Sequence, residues 1–404
     1  MPGAMSGGDP VPADGTLPAA ALAGLGSRPF GIYVHVPFCV TRCGYCDFNT
    51  YTAPELGNHH VSPASYPDLV IAELGFARKV LGTTDLPVAT VFFGGGTPTL
   101  LAPKAFGSIL RAIDDEFGLL PGAEVTTEAN PESVTEATLA ELRAQGVTRM
   151  SFGMQSVVSE VLAVLDRVHQ PGRPVACVKW ARTAGFSHVS LDLIYGTPGE
   201  TDAGWRRSLE AAVGAGPDHV SAYALTVEDG TRLAARVRRG ELTAPDDDVL
   251  ASRYVIADEM LSAAGYGWYE ISNWATGRPG RCAHNMLYWT GGDWWGIGPG
   301  AHSHVGGTRW WNVRHPAAYA ARISAGHSPG QAREILTAAE THLEQVMLLS
   351  RLADGCPLSI LDPAGRAAAD QVAADGLAKI LYNERLVLTR AGRLLADTVV
   401  RALS

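Results

Sequence analysis

Short apolar runs alternate with amphipathic stretches along residues 31–225 of the chain. The runs are rich in β-branched residues, which is typical of strands buried on both faces. They read GIYVHV, PVATVFF, EVTTEA, TRMSFG, HVSLDLIYG and DHVSAYAL, at 31–36, 87–93, 124–129, 148–153, 188–196 and 218–225. Helical apolar spacing fills the intervals, over about 67–81, 103–117, 135–145, 158–165, 174–185 and 202–215. Such an alternation predicts a parallel sheet covered by helices.

Two arrangements of a parallel sheet fit this alternation, an open doubly wound sheet and a barrel. Chemically distinctive residues stand at or just past the end of all six strands: Cys39, Gly94–Gly96, Glu128, Gln155, Asp192 and Tyr223. A doubly wound sheet concentrates its site at one switch point, whereas the loops that follow the strands of a barrel share one mouth. The pattern therefore favours an α/β fold with a partial parallel (β/α)6 TIM-like barrel over residues 31–245.

The rest of the chain divides into three parts by composition. Residues 1–30 are rich in Gly, Pro and Ala, and we expect a flexible leader without a core. Residues 246–335 start with a helix and continue as an aromatic- and glycine-rich segment that we expect to close the barrel, with WWGIGPGAHSH at 294–304 as a loop over its mouth. Residues 336–404 are expected to form a mainly helical domain that ends in a short strand, a turn and an amphipathic helix.

Charge and hydropathy narrow the function classes. The net charge is −9, so no overall basic field attracts nucleic acid. No apolar run reaches the roughly 18–20 residues of a membrane helix, and the N-terminus lacks the basic residues of a signal peptide. We therefore expect a cytoplasmic protein without a transmembrane span.

Three of the six cysteines fall within eight positions, with the spacing C-x3-C-x2-C: Cys39, Cys43 and Cys46. In a chain without a secretion signal, this clustering indicates a metal or cluster site in a reducing compartment. Three thiolates can bind three irons of a [4Fe–4S] cluster and leave the fourth iron open. Structural zinc is the alternative, with its fourth ligand from His59 or His60. A strand directly before the cysteines and a glycine loop on a later strand favour the cluster.

The other three cysteines are scattered in apolar or mixed surroundings: Cys177, Cys282 and Cys356. Free cysteine is among the most buried residue types and packs as a small apolar side chain. We therefore expect these three to be buried thiols without a chemical role.

The cysteine spacing after a strand, followed by FFGGGTPTLL at 92–101, resembles the radical S-adenosylmethionine (SAM) superfamily. The resemblance covers residues 31–404, and in that family SAM binds the open iron through its amino and carboxylate groups. It implies a [4Fe–4S] cluster on the three cysteines and these SAM contacts: Tyr33, Gly95, Gly96, Thr97, Glu128, Gln155, Arg167 and Asp192. The residue types agree with this, because a zwitterionic ligand with ribose hydroxyls needs a carboxylate, a guanidinium and hydrogen-bond acceptors.

The flanking stretches YVHVPFC and DLIYGTPGET resemble the subgroup that contains oxygen-independent coproporphyrinogen III oxidase. Those oxidases carry a further cysteine two residues after the third, where this chain has Phe48. HNMLYW at 284–289 matches the H-N-x-x-Y-W motif of the subgroup's haem chaperones. The match implies that His284 is an axial haem ligand and that Tyr288 and Trp289 line the porphyrin. On the residues alone, a structural histidine within an aromatic cluster is an equal alternative.

The resemblance implies a haem chaperone that binds haem and transfers it to apo-haem proteins. Respiratory enzymes are one class of recipient, which would bring the chaperone transiently to the membrane. SAM would serve structure or regulation, and its cleavage is left open. The resemblance also makes the C-terminal domain winged-helix-like. A homodimer and the roles of His302 and His304 are left open.

Two other functions remain open at this point. One is an oxidase that decarboxylates the propionates of coproporphyrinogen III to give protoporphyrinogen IX. The other is a zinc-stabilised barrel with an unrelated binding role. The missing cysteine at Phe48 and the HNMLYW motif favour the chaperone over the oxidase.

Overall fold

The computed structural model describes residues 7–57, 61–382 and 384–404. His59 and His60 and the start of the leader, residues 1–6, lie outside these residues. The elements up to the end of the alternating part are β1 (Asp9–Pro10), α1 (Ala19–Ala23), β2 (Phe30–Val36), α2 (Ala53–Leu56), α3 (Tyr66–Leu81), β3 (Val88–Gly95), α4 (Pro103–Phe117), β4 (Leu119–Ala129), α5 (Glu136–Ala144), β5 (Arg149–Gln155), α6 (Ser159–Val164), α7 (Arg173–Thr183), β6 (His188–Tyr195), α8 (Asp202–Ala215), β7 (His219–Ala224), α9 (Arg232–Arg238) and α10 (Asp247–Ala263).

The chain continues with short strands and helices. They are β8 (Gly267–Glu270), β9 (Asn273–Ala275), α11 (Ala283–Trp289), β10 (Asp293–Ile297), β11 (His302–Val305), β12 (Thr308–Asn312), α12 (Pro316–Ser324), β13 (Gly330–Ile335), α13 (Ala338–Leu349), β14 (Cys356–Pro357), α14 (Pro363–Ala374), β15 (Ala378–Leu381), β16 (Arg385–Leu388), α15 (Arg390–Leu394) and α16 (Ala396–Leu403).

Strands β2 to β7 lie side by side in sequence order, and each neighbouring pair is parallel. This order has no switch point, so the predicted partial (β/α)6 barrel is confirmed over the doubly wound alternative. Beyond β2 the sheet continues with the parallel strand β10, and beyond β7 with the antiparallel strand β9. Within the part of the chain that the structure describes, the two ends of the sheet do not pair with each other, so the barrel is open there.

The six predicted strands are confirmed, and the largest difference in their limits is at β4, which starts at Leu119 instead of residue 124. Alternation along β2 shows how the sheet separates core from site. Ile32, Val34 and Val36 are fully buried in the hydrophobic core, while Tyr33 between them lines the interior of the barrel. Successive side chains of a strand point to opposite faces, so the interior receives one residue in two.

Hydroxyl and carboxylate side chains cap the helices on the outside of the barrel. Thr135 accepts a hydrogen bond from the backbone at the start of α5, and Thr201, Thr231 and Asp246 do the same for α8, α9 and α10. Each cap satisfies a backbone N–H that has no partner inside the helix. These caps explain why the predicted helix starts agree closely with the structure.

The prediction of a flexible leader is wrong for its described part. β1 pairs antiparallel with β13 through Asp9 and Pro10, and Leu17 and Ala21 are buried in the main core. The segment has few apolar residues of its own, but it packs them against apolar surface that the rest of the chain presents. The composition of a segment indicates only how much apolar surface the segment could bury by itself. It therefore does not predict that the leader packs against the rest of the chain.

The prediction of a loop over 294–304 is also wrong, because this stretch forms β10, a turn and β11. Trp295 is buried in the main core, where its ring contacts Trp310, while Trp294 faces the opposite side, as strand alternation requires. Of the three glycines that suggested a loop, Gly296 lies within β10, while Gly298 and Gly300 form the turn with φ of +104° and +74°. Glycine adopts such positive φ values without strain.

Residues 338–403 form a mainly helical unit with a three-stranded antiparallel sheet in the order β14, β16, β15. The unit has its own buried cluster, which includes Val346, Leu386 and Val399. Its predicted ending of strand, turn and helix is confirmed by β16, α15 and α16. The division of the chain at residues 30, 245 and 335 stays a prediction. Within the described residues, no helix combines the length and apolar character needed to cross a membrane.

Candidate cofactor site

The interior of the barrel holds a cavity of about 660 Å³. Cavities of about 300–1,000 Å³ are the usual size for bound small molecules and cofactors. Its wall contains fifteen of the residues singled out from the sequence: Tyr33, Cys39, Cys43, Cys46, Phe48, Gly95, Gly96, Glu128, Gln155, Arg167, Asp192, Tyr223, Cys282, His284 and Tyr288. The strand-end pattern therefore predicted a real convergence of side chains.

Helix α11 closes the amino-terminal end of the barrel. Its His284 contacts Thr90 near the start of β3, and the His284 backbone N–H donates to Glu124, which pairs with Thr90 on the neighbouring strand β4. Just before α11, the carbonyl of Gly280 accepts from Arg149 at the start of β5 at 3.0 Å. The aromatic segment thus closes the barrel at its floor, on the side opposite the cysteine loop, and not over its mouth.

The cysteine loop is held on both sides by backbone hydrogen bonds at Gly44. Its N–H donates to the Leu165 carbonyl at 3.1 Å, and its carbonyl accepts from the Leu233 N–H at 2.8 Å. A Cβ at Gly44 would lie 2.6 Å from the carboxylate of Asp166. This loop therefore runs between the end of α6 and the start of α9, and a side chain at residue 44 would have to displace the Asp166 carboxylate.

The three thiols line the cavity near its mouth and form no disulfides. Burial raises the pKa of Cys39, and raises that of Cys46 to about 12. Thiolates at these positions need a positive partner, which iron supplies in a cluster. Among the described residues, no three His, Cys, Asp or Glu side chains converge on one point as a single metal ion requires. A cluster presents a separate iron to each thiolate, so this arrangement of the described thiols fits a cluster.

The glycine loop packs directly against the cysteine loop. The Gly96 N–H donates to the Val36 carbonyl at 2.8 Å. A Cβ at Gly96 would lie 2.5 Å from the Phe38 carbonyl oxygen and 3.0 Å from Cys39 Sγ. Thr97 does not line the cavity, but its hydroxyl lies 3.9 Å from Cys39 Sγ. Thr97 therefore supports the first cysteine from behind.

Arg167 connects the cysteine loop with two strand ends. Its guanidinium donates to Cys43 Sγ at 3.4 Å, to Asn130 Oδ1 at 2.8 Å and to the Gly153 carbonyl at 2.6 Å. Its Nε is buried and has no partner within the described residues. An unpaired buried N–H of a guanidinium costs free energy until an acceptor binds it. A ligand carboxylate beside the cysteines would satisfy it.

Two carboxyl groups face the middle of the cavity. Glu128 accepts from the Gly95 N–H at 3.2 Å, and burial together with repulsion from Asp192 raises its pKa to about 8. Asp192 accepts from the hydroxyls of Ser151 and Ser221 at 2.8 and 2.7 Å. Burial raises the pKa of Asp192, and the two serine hydroxyls oppose that change. This part of the cavity therefore suits a ligand that brings an ammonium group and hydroxyl groups.

The two predicted SAM contacts not yet described are Gln155 and Tyr33. Gln155 ends β5 with φ of +60°, where the pairing with β6 shifts register. That unusual conformation at a cavity wall indicates a position fixed for binding. Tyr33 Oη lies 3.0 Å from His35 Nδ1. His35 in turn contacts the Asn49 carbonyl at 2.8 Å, which ties β2 to the end of the cysteine loop.

These residues fit a [4Fe–4S] cluster and SAM on three counts of the geometry. The three thiols share one cavity, the Gly96 backbone comes too close to Cys39 for any side chain, and Arg167 Nε has no acceptor among the described residues. The cysteines would hold the cluster, and Arg167, Glu128 and Asp192 would bind and orient SAM. A bound cluster supplies one open iron and an electron at low potential.

The predicted haem residues lie apart from the cysteine loop. His284 is buried, with Nδ1 2.8 Å from Thr90 Oγ1 and Nε2 2.8 Å from Tyr288 Oη. Burial lowers the pKa of His284 to about 3. Both His284 and Tyr288 line the cavity, but Trp289 does not, and Trp294 contacts Tyr288 where the motif suggested Trp289. An iron bond at Nε2 requires the Tyr288 hydroxyl to move away.

His302 and His304 lie on β11 beside this group and away from the cavity. The ring of His302 stacks on Trp311, and His304 Nδ1 lies 3.1 Å from the Gly292 carbonyl oxygen. Both histidines therefore have structural partners on their own side of the sheet.

Sequence reasoning missed several residues that complete the site. Asn130 accepts from Arg167 and donates to Thr97 at 2.8 Å, and its position two residues after Glu128 in TEANP was an available signal. Arg149 and Cys282 line the lower cavity, and burial raises the pKa of Cys282 to about 12. Nothing in the sequence signals their position, because Arg149 stands at a strand start and α11 is placed by tertiary packing. Cys177 and Cys356 are buried, as expected.

The barrel, the cysteine loop and the glycine loop together define a radical SAM domain, and a family model described as Radical SAM superfamily matches residues 33–212. The chain is 56% identical over 384 residues to the protein named "Heme chaperone HemW" of Mycobacterium tuberculosis (strain ATCC 25618 / H37Rv), covering 95% of this chain and 96% of that protein. It is 36% identical over 278 residues to the "Heme chaperone HemW" of Escherichia coli (strain K12), covering 69% and 70%. The chain belongs to the HemW family of the radical SAM superfamily.

A solved structure shows the same fold. The structure titled "Coproporphyrinogen III oxidase (HemN) from Escherichia coli is a Radical SAM enzyme" superposes with a TM-score of 0.80 and 22% sequence identity, covering 95% of this chain and 92% of that chain. At this identity the similarity concerns the fold alone. Membership of the radical SAM superfamily implies a [4Fe–4S] cluster and SAM.

Proposed function

We propose that this protein is a cytoplasmic haem chaperone, which binds haem and transfers it to apo-haem proteins. The observation that carries the proposal is the 56% identity over 95% of the chain to a protein named as a haem chaperone. The exposed Phe48 supports it, because it stands where the related oxidases carry a further cysteine and lines the cavity. Respiratory enzymes are one class of recipient, and transient contact with the membrane follows from such a recipient.

His284 is the proposed axial ligand of the haem iron, through Nε2. Histidines that bind metal through one ring nitrogen commonly use the other in a hydrogen bond that sets the tautomer. Thr90 Oγ1 occupies Nδ1 in this way, and Tyr288 occupies the side that faces the cavity. Phe92 stacks on the His284 ring at 5.3 Å between centroids and keeps its orientation. The Tyr288 hydroxyl therefore occupies the position at Nε2 that haem iron would take, and haem binding would displace it.

The cluster and SAM are proposed to shape the mouth of the same cavity. The three cysteines would bind the cluster, while Tyr33, Gly95, Gly96, Thr97, Glu128, Gln155, Arg167 and Asp192 would form the SAM site. Most of these residues line the cavity that also contains His284. Occupation of the mouth by these groups would therefore limit how a porphyrin enters the barrel.

The experiment that tests this function is an anaerobic haem titration of the cluster-loaded chain, followed by absorbance. A saturable Soret band that is lost or shifted in His284→Ala supports the proposal and the ligand. His302→Ala is the matched control, because that histidine lies outside the cavity. Haem binding no stronger than to an unrelated protein would contradict the proposal. Conversion of coproporphyrinogen III in the presence of SAM and a reductant would then favour the oxidase.

A further inference from the structure

A row of four buried polar side chains crosses the lower cavity: Thr126, Arg149, Ser190 and His219. All four line the cavity, and each is between 1% and 4% exposed. Thr126 pairs with Arg149 across β4 and β5, and Ser190 pairs with His219 across β6 and β7. The Arg149 guanidinium donates to the Ser190 hydroxyl at 2.9 Å and so joins the two pairs. These four side chains form one continuous row across four neighbouring strands, which we call the floor row.

Two atoms of the floor row, Thr126 Oγ1 and His219 Nδ1, have no hydrogen-bond partner within the described residues. His219 Nε2 lies 2.8 Å from Tyr269 Oη. The Asn285 amide donates to Tyr269 Oη at 3.2 Å and to Glu270 Oε1 at 3.1 Å. We therefore assign the Tyr269 hydroxyl proton to the bond with His219 Nε2, which places the imidazole proton on Nδ1. Both unpaired atoms of the row can thus donate a hydrogen bond into the cavity.

Arg149 adds a positive charge to these two donors. Its counter-ion Glu124 lies 3.6 Å from the guanidinium and does not line the cavity. Along β6, the next carboxyl group that lines the cavity is Asp192, two residues nearer the mouth, where the hydroxyls of Ser151 and Ser221 hold it. Fixed O–H and N–H donors beside a guanidinium are the groups that bind a carboxylate most strongly. The floor row therefore suits a ligand that brings a carboxylate to the bottom of the cavity.

Packing gives no reason to leave these donors unpaired. Valine in place of Thr126 would fill the same space without a hydroxyl group, and a buried donor without an acceptor destabilises the folded chain. A carboxylate oxygen of a bound molecule would remove that cost at both positions. Haem carries two propionate groups on one edge of the porphyrin, and both are carboxylates at neutral pH.

We propose that the floor row binds the propionate carboxylates of haem, with Thr126 and His219 as hydrogen-bond donors and Arg149 as the balancing charge. The inference rests on the proposed haem chaperone function and names the part of the haem that the cavity recognises. It is independent of which side chain binds the iron. It makes free carboxylates a requirement for tight binding, so the chain would discriminate against porphyrins that lack them.

The first test compares haem with haem dimethyl ester, in which both propionates are esterified. Each is titrated anaerobically into the cluster-loaded full chain with SAM present, and the Soret band is followed. We expect the ester to bind about tenfold more weakly or worse, because it brings no negative charge to Arg149. Equal affinities for haem and ester would overturn the proposal and leave the chaperone function standing. A chain that binds neither saturably would contradict the chaperone function itself, and this inference with it.

The second test removes one donor of the floor row. Thr126→Val keeps the shape of the side chain and deletes its hydroxyl, and Thr126→Ser retains a hydroxyl. Thr127→Val is the matched control, because Thr127 lies on the same strand and is equally buried but does not line the cavity. We expect Thr126→Val to bind haem several-fold more weakly with unchanged affinity for the ester, and Thr126→Ser to restore haem binding.

An equal loss for haem and ester in Thr126→Val would show that Thr126 only supports the fold, and it would overturn the proposal. If Thr126→Val does not fold, the comparison of haem with its ester in the wild-type chain still decides between the two outcomes.

Discussion

The hydroxyl of Tyr288 lies 2.8 Å from Nε2 of His284, and Thr90 Oγ1 lies 2.8 Å from Nδ1 of the same ring. Every hydrogen-bonding position of this imidazole is therefore occupied by a hydroxyl group. For the proposed haem chaperone this means that Tyr288 competes with haem iron for the nitrogen that faces the cavity.

Removing that competitor should strengthen haem binding. Tyr288→Phe keeps the ring and deletes the hydroxyl, and a neutral hydrogen bond contributes about 0.5–1.5 kcal/mol. We expect haem to bind about two- to tenfold more tightly in this variant, as measured by titration of the Soret band. Tyr195→Phe should not change the affinity. Weaker binding in Tyr288→Phe would mean that Tyr288 holds the porphyrin and does not block the ligand.

We expect Arg167 to contribute more to the affinity for SAM than to the assembly of the cluster. Arg167→Lys keeps the charge but removes the guanidinium fork, including Nε, which has no partner within the described residues and which a ligand carboxylate would satisfy. Each hydrogen bond to a charged group contributes about 1.5–3 kcal/mol, so we expect SAM to bind about ten- to a hundredfold more weakly. Calorimetry on the cluster-loaded chain measures this, with the exposed Arg207→Lys as control. Unchanged affinity would remove Arg167 from the SAM site.

The contact between the two loops predicts the effect of Gly96→Ala. The new Cβ would press on the Phe38 carbonyl and on Cys39 Sγ, and crowding of this kind costs about 1–3 kcal/mol of folding stability. Because Cys39 must shift, we expect iron and sulfide content after reconstitution to fall as well. Gly214→Ala, in a helix with open space at its Cβ, is the control and should retain the cluster. Full iron content in Gly96→Ala would contradict the packing that we describe.

The raised pKa of Glu128 predicts how the stability of the cluster-free chain depends on pH. Burial and Asp192 raise its pKa from 4.5 to about 8, so the folded state binds a proton that the unfolded state has released between these values. The free energy of unfolding should therefore decrease as pH rises from about 5 to 8. Urea unfolding across this range measures the slope. Glu128→Gln should reduce the slope, to which Glu73, Glu200 and Glu270 also contribute because burial raises their pKa values to about 7. An equal slope in the variant would show that Glu128 is ionised in the folded chain.

The sequence predicted the barrel because its signals are local. Each strand carries its own apolar run, and Cys39, Glu128 and Asp192 stand at strand ends that a parallel barrel must bring to one side. The leader and the stretch 294–304 were mispredicted because their order comes from partners far along the chain. Asp9 pairs with Arg333, and Trp294 pairs with Gly31.

The position of His284 was equally beyond local reasoning. The HNMLYW motif identified the residue, but not that α11 closes the floor of the barrel or that Thr90 and Tyr288 engage both nitrogens. These contacts join residues that are distant in the sequence, and only the folded chain shows which of them meet. Trp289, named by the same motif, lies outside the cavity for the same reason.

The most direct test of the central claim is a haem transfer measurement. The cluster-loaded chain is filled with one equivalent of haem, freed of excess and mixed with an apo-haem protein whose Soret band is distinct. We expect the recipient's band to appear while that of the chain declines, and we expect His284→Ala to lose this transfer while His302→Ala retains it. A recipient that fills no faster than from an unrelated haem-binding protein would contradict haem transfer by this protein.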